Sequence, residues 1–208
     1  MSTHMQDGRR ERGARTEEAL LSAASDLFVE QGYARTALTE VALRAGVSAR
    51  TVYVRFDSKA ALLKRVIDIA VVGDLEDRPL RDRDWIEHAM SAPTLLERID
   101  TFATGSAALH QRLAPILAIA MEAEPTEAVI AEASRAGREG TQAMVREFWT
   151  SAVRDSLVPS DIDLDWVVET AFLLSSGDTA VLRLRTVGLD DYATWLRHAF
   201  LLLATAPR

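Results

Sequence analysis

The chain has 208 residues, no cysteine, and 24 Lys+Arg against 31 Asp+Glu, for a formal net charge of −7. The length fits one compact unit or two coupled domains. The missing thiols exclude disulfides and thiolate-based zinc or nucleophile sites, and apolar runs such as 199–204 are too short to span a bilayer. The charge is uneven: residues 1–70 hold 11 Lys+Arg and 9 Asp+Glu, whereas residues 71–208 hold 13 and 22. A polyanion would therefore meet the N-terminal end and be repelled by the rest.

Residues 1–15 contain Arg9, Arg10, Arg12 and Arg15 without apolar periodicity. They read as a flexible basic arm, disordered alone and able to order in a DNA minor groove. This polar start shows no leader-like apolar run, and a cytoplasmic setting is expected. A first helix is predicted from Thr16, as N-cap, to Gln31, with Gly32 as stop; Leu20, Ala24, Leu27 and Phe28 form its buried stripe. Thr36 is the predicted N-cap of a second helix, whose stripe is Leu38, Val41, Ala42 and Ala45. Gly46 ends it in a left-handed conformation that glycine adopts without steric cost. Ser48 caps a third helix with Ala49, Arg50 and Thr51 in its exposed first turn. Val52 and Phe56 face the core, and Tyr53, Val54 and Arg55 point partly outward. Two short helices around a tight turn, the second opening with small polar and basic side chains, have the layout of a helix-turn-helix. Ser58 caps a fourth helix running from Lys59 to about Val72, and Lys59 is within reach of a DNA backbone.

From Gly73 to Asp84 the chain is dense in charge around Pro79 and reads as a loop. Beyond it every period is helical. The prolines divide predicted helices at Thr94–Leu113, Ile116–Glu122 and Thr126–Leu157, the last containing Gly137 and Gly140, which can thin its packing or bend it. A long helix is expected from Asp163 to Leu184, stopped by Gly188, and a final one from about Asp190. The final helix has Tyr192, Leu196, Phe200 and Leu203 on one face, with Trp195, Ala199 and Leu202 beside them. That stripe is too broad for a helix that buries one side only, so half is expected in the core and half against a partner.

No catalytic constellation occurs. His4, His88, His110 and His198 are too scattered for ligand spacing, Gly137-Arg138-Glu139-Gly140 lacks a phosphate loop's context and lysine, and no metal or cofactor is expected. Large side chains that can line a ligand pocket are Trp85, Phe102, His110, Met121, Phe148, Trp149 and Phe172. With few basic residues facing that interior, a neutral or cationic apolar effector is preferred over an anionic one.

Residues 16–66 resemble the DNA-binding domain of TetR-family transcriptional regulators. The resemblance rests on Leu27-Phe28-x-x-x-Gly32-Tyr33, Thr36, Val41-Ala42, Ala45-Gly46-Val47-Ser48, Thr51-Val52-Tyr53, Phe56, Ser58-Lys59 and Leu62-Leu63, in order and spacing. It implies an all-α chain: a three-helix DNA-binding domain over 16–66, and a helical ligand-binding and dimerisation domain over 67–208. It further implies a homodimer on double-stranded DNA with a palindromic operator, and repression released by a small molecule. Carried over by position, the DNA-facing set is Thr36, Ser48, Ala49, Arg50, Thr51, Tyr53, Val54, Arg55 and Lys59. The implied dimer interface lies on the last long helices: Trp166, Phe172, Tyr192, Trp195, Leu196, Ala199, Phe200 and Leu203. Many relatives have Gly where Arg50 stands and His where Arg55 stands, so these two positions bear on the choice of bases. The rival reading is a helical small-molecule-binding or scaffold protein whose helix-turn-helix no longer engages DNA.

Overall fold

The computed structural model describes residues 2–73 and 78–205, with side chains from residue 13 onward. Among the described residues the chain forms ten α-helices and no strand: α1 (Ser2–Arg35), α2 (Leu38–Arg44), α3 (Ala49–Arg55), α4 (Lys59–Val72), α5 (Asp84–Ser91), α6 (Leu95–Ala123), α7 (Ala128–Arg154), α8 (Leu164–Ser175), α9 (Gly177–Thr186) and α10 (Tyr192–Leu203). None of them is long and apolar enough to cross a membrane. They group into two compact units. The first reaches Ile69 and includes Ala118–Ala133; the second takes Ala70–Leu117 and the chain from Ser134 onward.

In the first unit the predicted stripe of α1 is buried: Leu20, Ala24 and Phe28 at 0% exposure and Leu27 at 1%. Helical backbone begins at Ser2, so Thr16 lies inside α1 rather than capping it, and residues 2–15 continue the helix instead of forming an irregular arm. The side chains of Arg9, Arg10 and Arg12 lie outside the described residues. Regular α1 geometry ends at Gly32, whose φ of 84° and ψ of 168° are non-helical. Thr36 is not a cap. It is buried and donates its hydroxyl to the Gly32 carbonyl at 2.9 Å, while Ala37 takes the N-cap position. A threonine hydroxyl serves either as helix cap or as back-bond to an earlier carbonyl, and here the freed carbonyls at the end of α1 win. The tail of α6 and the start of α7 also belong to this unit. Their Glu127 carboxylate accepts from the Tyr33 hydroxyl at 2.8 Å.

The second unit is built on an aromatic cluster. Phe102 of α6, Phe148 and Trp149 of α7 and Phe200 of α10 are buried, with ring centroids 5.1–5.7 Å apart. Each such ring contributes about 1.5–3 kcal/mol by burial, with roughly 0.5–1.5 kcal/mol more per well-oriented pair. Arg98, 3% exposed, crosses from α6 to donate to the Ala92 carbonyl (2.7 Å), Ser151 Oγ (3.1 Å) and the Asp155 carboxylate (2.5 Å).

Two predicted helix boundaries come out differently, and the glycines of α7 do not. Pro115 lies inside an unbroken α6. The carbonyl it orphans belongs to exposed Gln111, where water can satisfy it, and buried Leu113, Ala114 and Ile116 hold the helix on both sides. Gly137 and Gly140 sit in open space within an uninterrupted α7. Conversely, the helix expected from Asp163 to Leu184 divides. Asp163 does cap α8, accepting from Trp166 N at 3.1 Å, but Ser176 starts a new helix, accepting from Thr179 N at 3.2 Å. Gly177 permits the close approach there, since a Cβ would sit 2.4 Å from Leu117 Cδ2. The segment expected as a loop before Asp84 leads into α5, which the sequence reading did not place.

Candidate nucleic-acid interface and ligand cleft

The α2–α3 corner is set by local chemistry. After Arg44, the Val47 N–H donates to Ala42 O (3.0 Å) and the Gly46 N–H to Leu43 O (3.2 Å). This six-to-one and five-to-two pair is a Schellman motif, and it needs a left-handed residue at Gly46, where φ is 69°. Ser48 then caps α3, its Oγ accepting from Thr51 N at 3.2 Å and lying 2.8 Å from the Thr51 hydroxyl. Val52 and Phe56 anchor the helix inward and Val41 and Ala42 support it from α2. With its inward face fixed, α3 turns Arg50, Tyr53 and Val54 (i, i+3 and i+4) to the outside, Tyr53 at 57% and Val54 at 75% exposure.

The predicted set separates on this geometry. Ser48, Arg50, Tyr53 and Val54 are exposed, with Ala49 and Thr51 half-buried beside them. Thr36 is excluded by its burial. Arg55 is exposed but held: Nη1 lies 3.2 Å from the Glu17 carboxylate and Nη2 donates to Gly13 O at 2.9 Å. Glu17 also binds Arg65 at 3.2 Å. Lys59 is half-buried, donating to Tyr33 O (2.7 Å) and Ala34 O (3.3 Å) with its ammonium 4.3 Å from the Tyr33 ring centroid. It thus caps the end of α1. Arg44 is paired with Glu30 at 2.8 Å. Arg50 alone of the α2–α3 arginines makes no hydrogen bond or ion pair among the described residues. Leu43, 80% exposed on α2, is an apolar neighbour that the sequence reading passed over; its place outside the α2 stripe was the available signal.

Of the predicted pocket residues, Phe102, Phe148 and Trp149 are packed core, and Phe172 is half-buried on α8. Met121 belongs to the other unit. His110 is buried against the edge of Tyr192 (5.2 Å), its Nδ1 without a partner, and burial holds its pKa down at about 4. Trp85 lines an open cleft of about 670 Å³, together with the end of α4 and one face of α6. The sequence reading missed Arg83 and Arg112 on its walls. No group of three or more potential metal-ligating side chains occurs among the described residues.

The predicted dimer surface divides in the same way. Tyr192, Leu196, Phe200 and Leu203 are buried in the core of the chain; Trp195 and Ala199 are half-buried. Trp166 is 48% exposed, and apolar residues left outward beyond the predicted set include Leu173 (56%), Leu182 (62%), Val187 (71%) and Leu202 (73%).

Residues 20–66 match the family model of bacterial regulatory proteins, tetR family. The chain is 39% identical over 54 residues to the HTH-type transcriptional repressor BepR of Brucella suis biovar 1 (strain 1330), a match spanning about a quarter of each protein (26% and 26%). Its fold is shared with a TetR transcription regulator from Haloarcula marismortui, at a TM-score of 0.70 and 16% identity over 92% of this chain and 97% of that one. It is shared also with SmeT in its complex with triclosan, at a TM-score of 0.69 and 18% identity over 92% and 95%.

Proposed function

We propose, from the premise that this chain belongs to the TetR family of bacterial regulatory proteins, that it is a dimeric, cytoplasmic repressor released from a palindromic operator by a small molecule. Regulators of this family bind DNA and small-molecule effectors and function as dimers. The observation that carries the reading is the exposed Arg50–Tyr53–Val54 face of α3, with an uncommitted guanidinium at its start. Arg50 has the reach and fork geometry to read a guanine edge, Val54 can meet a thymine methyl, and Tyr53 can hold a phosphate. Arg55 and Lys59 act on the phosphate backbone after exchanging their internal partners.

A seven-residue helix reads few base pairs, so two protomers reading half-sites roughly 34–36 Å apart supply the missing specificity. The outward apolar residues of α8 and α10, with Trp166, Leu173 and Leu202 most exposed, suit the surface that joins them. The solved complex of a fold neighbour with triclosan supports reading the second unit as the effector domain. For release, the effector must bind the DNA-incompetent arrangement more tightly than the competent one.

The test is a titration of the purified chain against the DNA upstream of its own coding sequence and against random DNA, at several salt concentrations. The expected result is selective binding of two protomers per site, with affinity falling steeply as salt rises. Equal, weak binding to both DNAs would instead favour a helical small-molecule-binding or scaffold protein.

A further inference from the structure

The cleft in the second unit has walls of two kinds. One is apolar: Trp85 lies across Gly105 so closely that a Cβ there would be 2.2 Å from the indole, and Val72, Leu80 and Ala108 complete the surface. The absent side chain of Gly105 is what lets the ring form a flat wall. The other wall is cationic. Arg112 rests its guanidinium on Gly73, just past the end of α4, where a Cβ would lie 3.1–3.2 Å from three guanidinium atoms. Gly73 has a φ of 88°, so the close approach and the backbone turn both call for glycine.

Arg112 carries five N–H donors. One nitrogen, Nη1, donates to Ala108 O at 2.9 Å, and no carboxylate partners Arg112 among the described residues. Arg83 also lines the cleft, with its guanidinium engaged by partners of its own, the Arg78 carbonyl at 3.2 Å among them. The one acid among the described lining residues, Asp100, is already paired with Arg197 at 2.5 Å. Among the described residues a cation would thus find no open counter-charge in the lining, whereas an anion finds an arginine fork beside an aromatic wall. The volume of about 670 Å³ falls in the range of ligand sites for small organic molecules.

We infer that this cleft takes an amphipathic anion, a monocarboxylate with an aryl or alkyl body, whose carboxylate sits on the Arg112 guanidinium and whose body lies along Trp85. The inference rests on the reading of the second unit as an effector domain, and it reverses the preference for a neutral or cationic effector drawn from the sequence. A planar carboxylate accepts two parallel N–H bonds from such a fork, which a neutral amide or an amine cannot reproduce. The bound acid would also touch Val72 and Gly73, the residues on which α4 ends. Since α4 begins at Lys59 in the DNA-binding unit, the ligand would act directly on a helix shared by both functions.

The experiment uses the full-length chain and a panel of aryl and alkyl monocarboxylates of about 8–14 carbons, a span chosen for ligands of this pocket class, each paired with its primary amide. Binding is read by calorimetry and by displacement of bound DNA. At least one acid is expected to bind tenfold or more tightly than its amide and to release DNA, and Arg112→Gln should remove that preference. Arg112→Lys, which keeps the charge but not the fork, should retain part of it. Circular dichroism and DNA binding without ligand establish that each variant is folded. If no acid surpasses its amide, or if the preference survives Arg112→Gln, the inference is overturned while the DNA titration still stands. If the wild-type chain binds no DNA selectively, the regulator reading fails instead, and the acid–amide comparison is decided by calorimetry alone.

Discussion

The arginines around α3 and the buried Arg98 of the second unit are committed in opposite ways. In the first unit, Arg44, Arg55 and Arg65 lie at the surface, each paired with an acid on α1, and Arg50 alone on α3 stays open. In the second, Arg98 is buried and bound three ways, and Arg183 stacks 4.5 Å from the Trp195 ring centroid with Asp191 on its other side. The second unit also carries surface arginines paired with acids, Arg135, Arg146 and Arg154 among them, whereas exposed Arg112 has no carboxylate partner among the described residues. Surface pairs of the first kind are each worth about 0–1 kcal/mol, so they can be exchanged for phosphates at little cost. A guanidinium held like Arg98 is architecture, because nothing in solvent can replace its partners once it is removed. An arginine's role therefore follows from what already binds it, and charge alone does not give it.

The largest effect that would test this contrast is at Arg98. Arg98→Met should lower unfolding free energy by about 3 kcal/mol, at the low end for breaking a buried pair because Asp155 is partly exposed, as measured by urea denaturation. Arg112→Gln should fall within about 0.5 kcal/mol of wild type, as ordinary surface substitutions do. Comparable losses for the two would erase the distinction.

His110 gives a second test of the buried unit. Its folded pKa of about 4 lies below the ordinary value of 6.5, so the unfolded chain takes up a proton first as pH falls. Stability should be flat above about pH 6.5 and decline through the window down to about pH 4, by roughly 3 kcal/mol in all. Denaturation midpoints of the wild type and of His110→Leu across that window measure it. The variant should lack this part of the acid dependence; an identical slope would mean that His110 is not held neutral.

At the DNA-facing end the effects are smaller and concern binding. Arg50→Ala should cost about 1–3 kcal/mol on the preferred sequence and relax base choice, whereas Arg55→Ala should weaken all sequences alike. Glu17→Gln, which frees Arg55, should strengthen non-specific binding and steepen its salt dependence. A small effect is expected at the turn: Gly46→Ala, strained at a φ of 69° but with nothing within 4 Å of its Cβ, should destabilise by about 1 kcal/mol.

How much was legible in the sequence follows the range of the interactions. Gly46, Ser48, Ser58 and Asp163 announce turns and caps through bonds made within a few residues, and the structure places them as read. Thr36 was misread because its hydroxyl answers carbonyls of the preceding helix, a competition invisible without knowing where α1 bends. Pro115 was read as a break because the cost of an interior proline is local, whereas the packing of Leu113 and Ile116 that offsets it is not. The broad stripe of α10 did signal two faces. Periodicity cannot say which face is inward, and Tyr192, Leu196, Phe200 and Leu203 prove to be the core. The cleft was illegible for the same reason: Trp85, Gly105 and Arg112 meet only through the packing of α5 on α6.

The most direct measurement is the ratio of affinity for the preferred upstream site to affinity for random DNA, compared between wild type and Arg50→Ala at one salt concentration. Base reading by the α3 face predicts that the ratio collapses by roughly 5–150-fold while random-DNA affinity changes little. Equal losses on both DNAs would contradict it and leave Arg50 as one more phosphate contact.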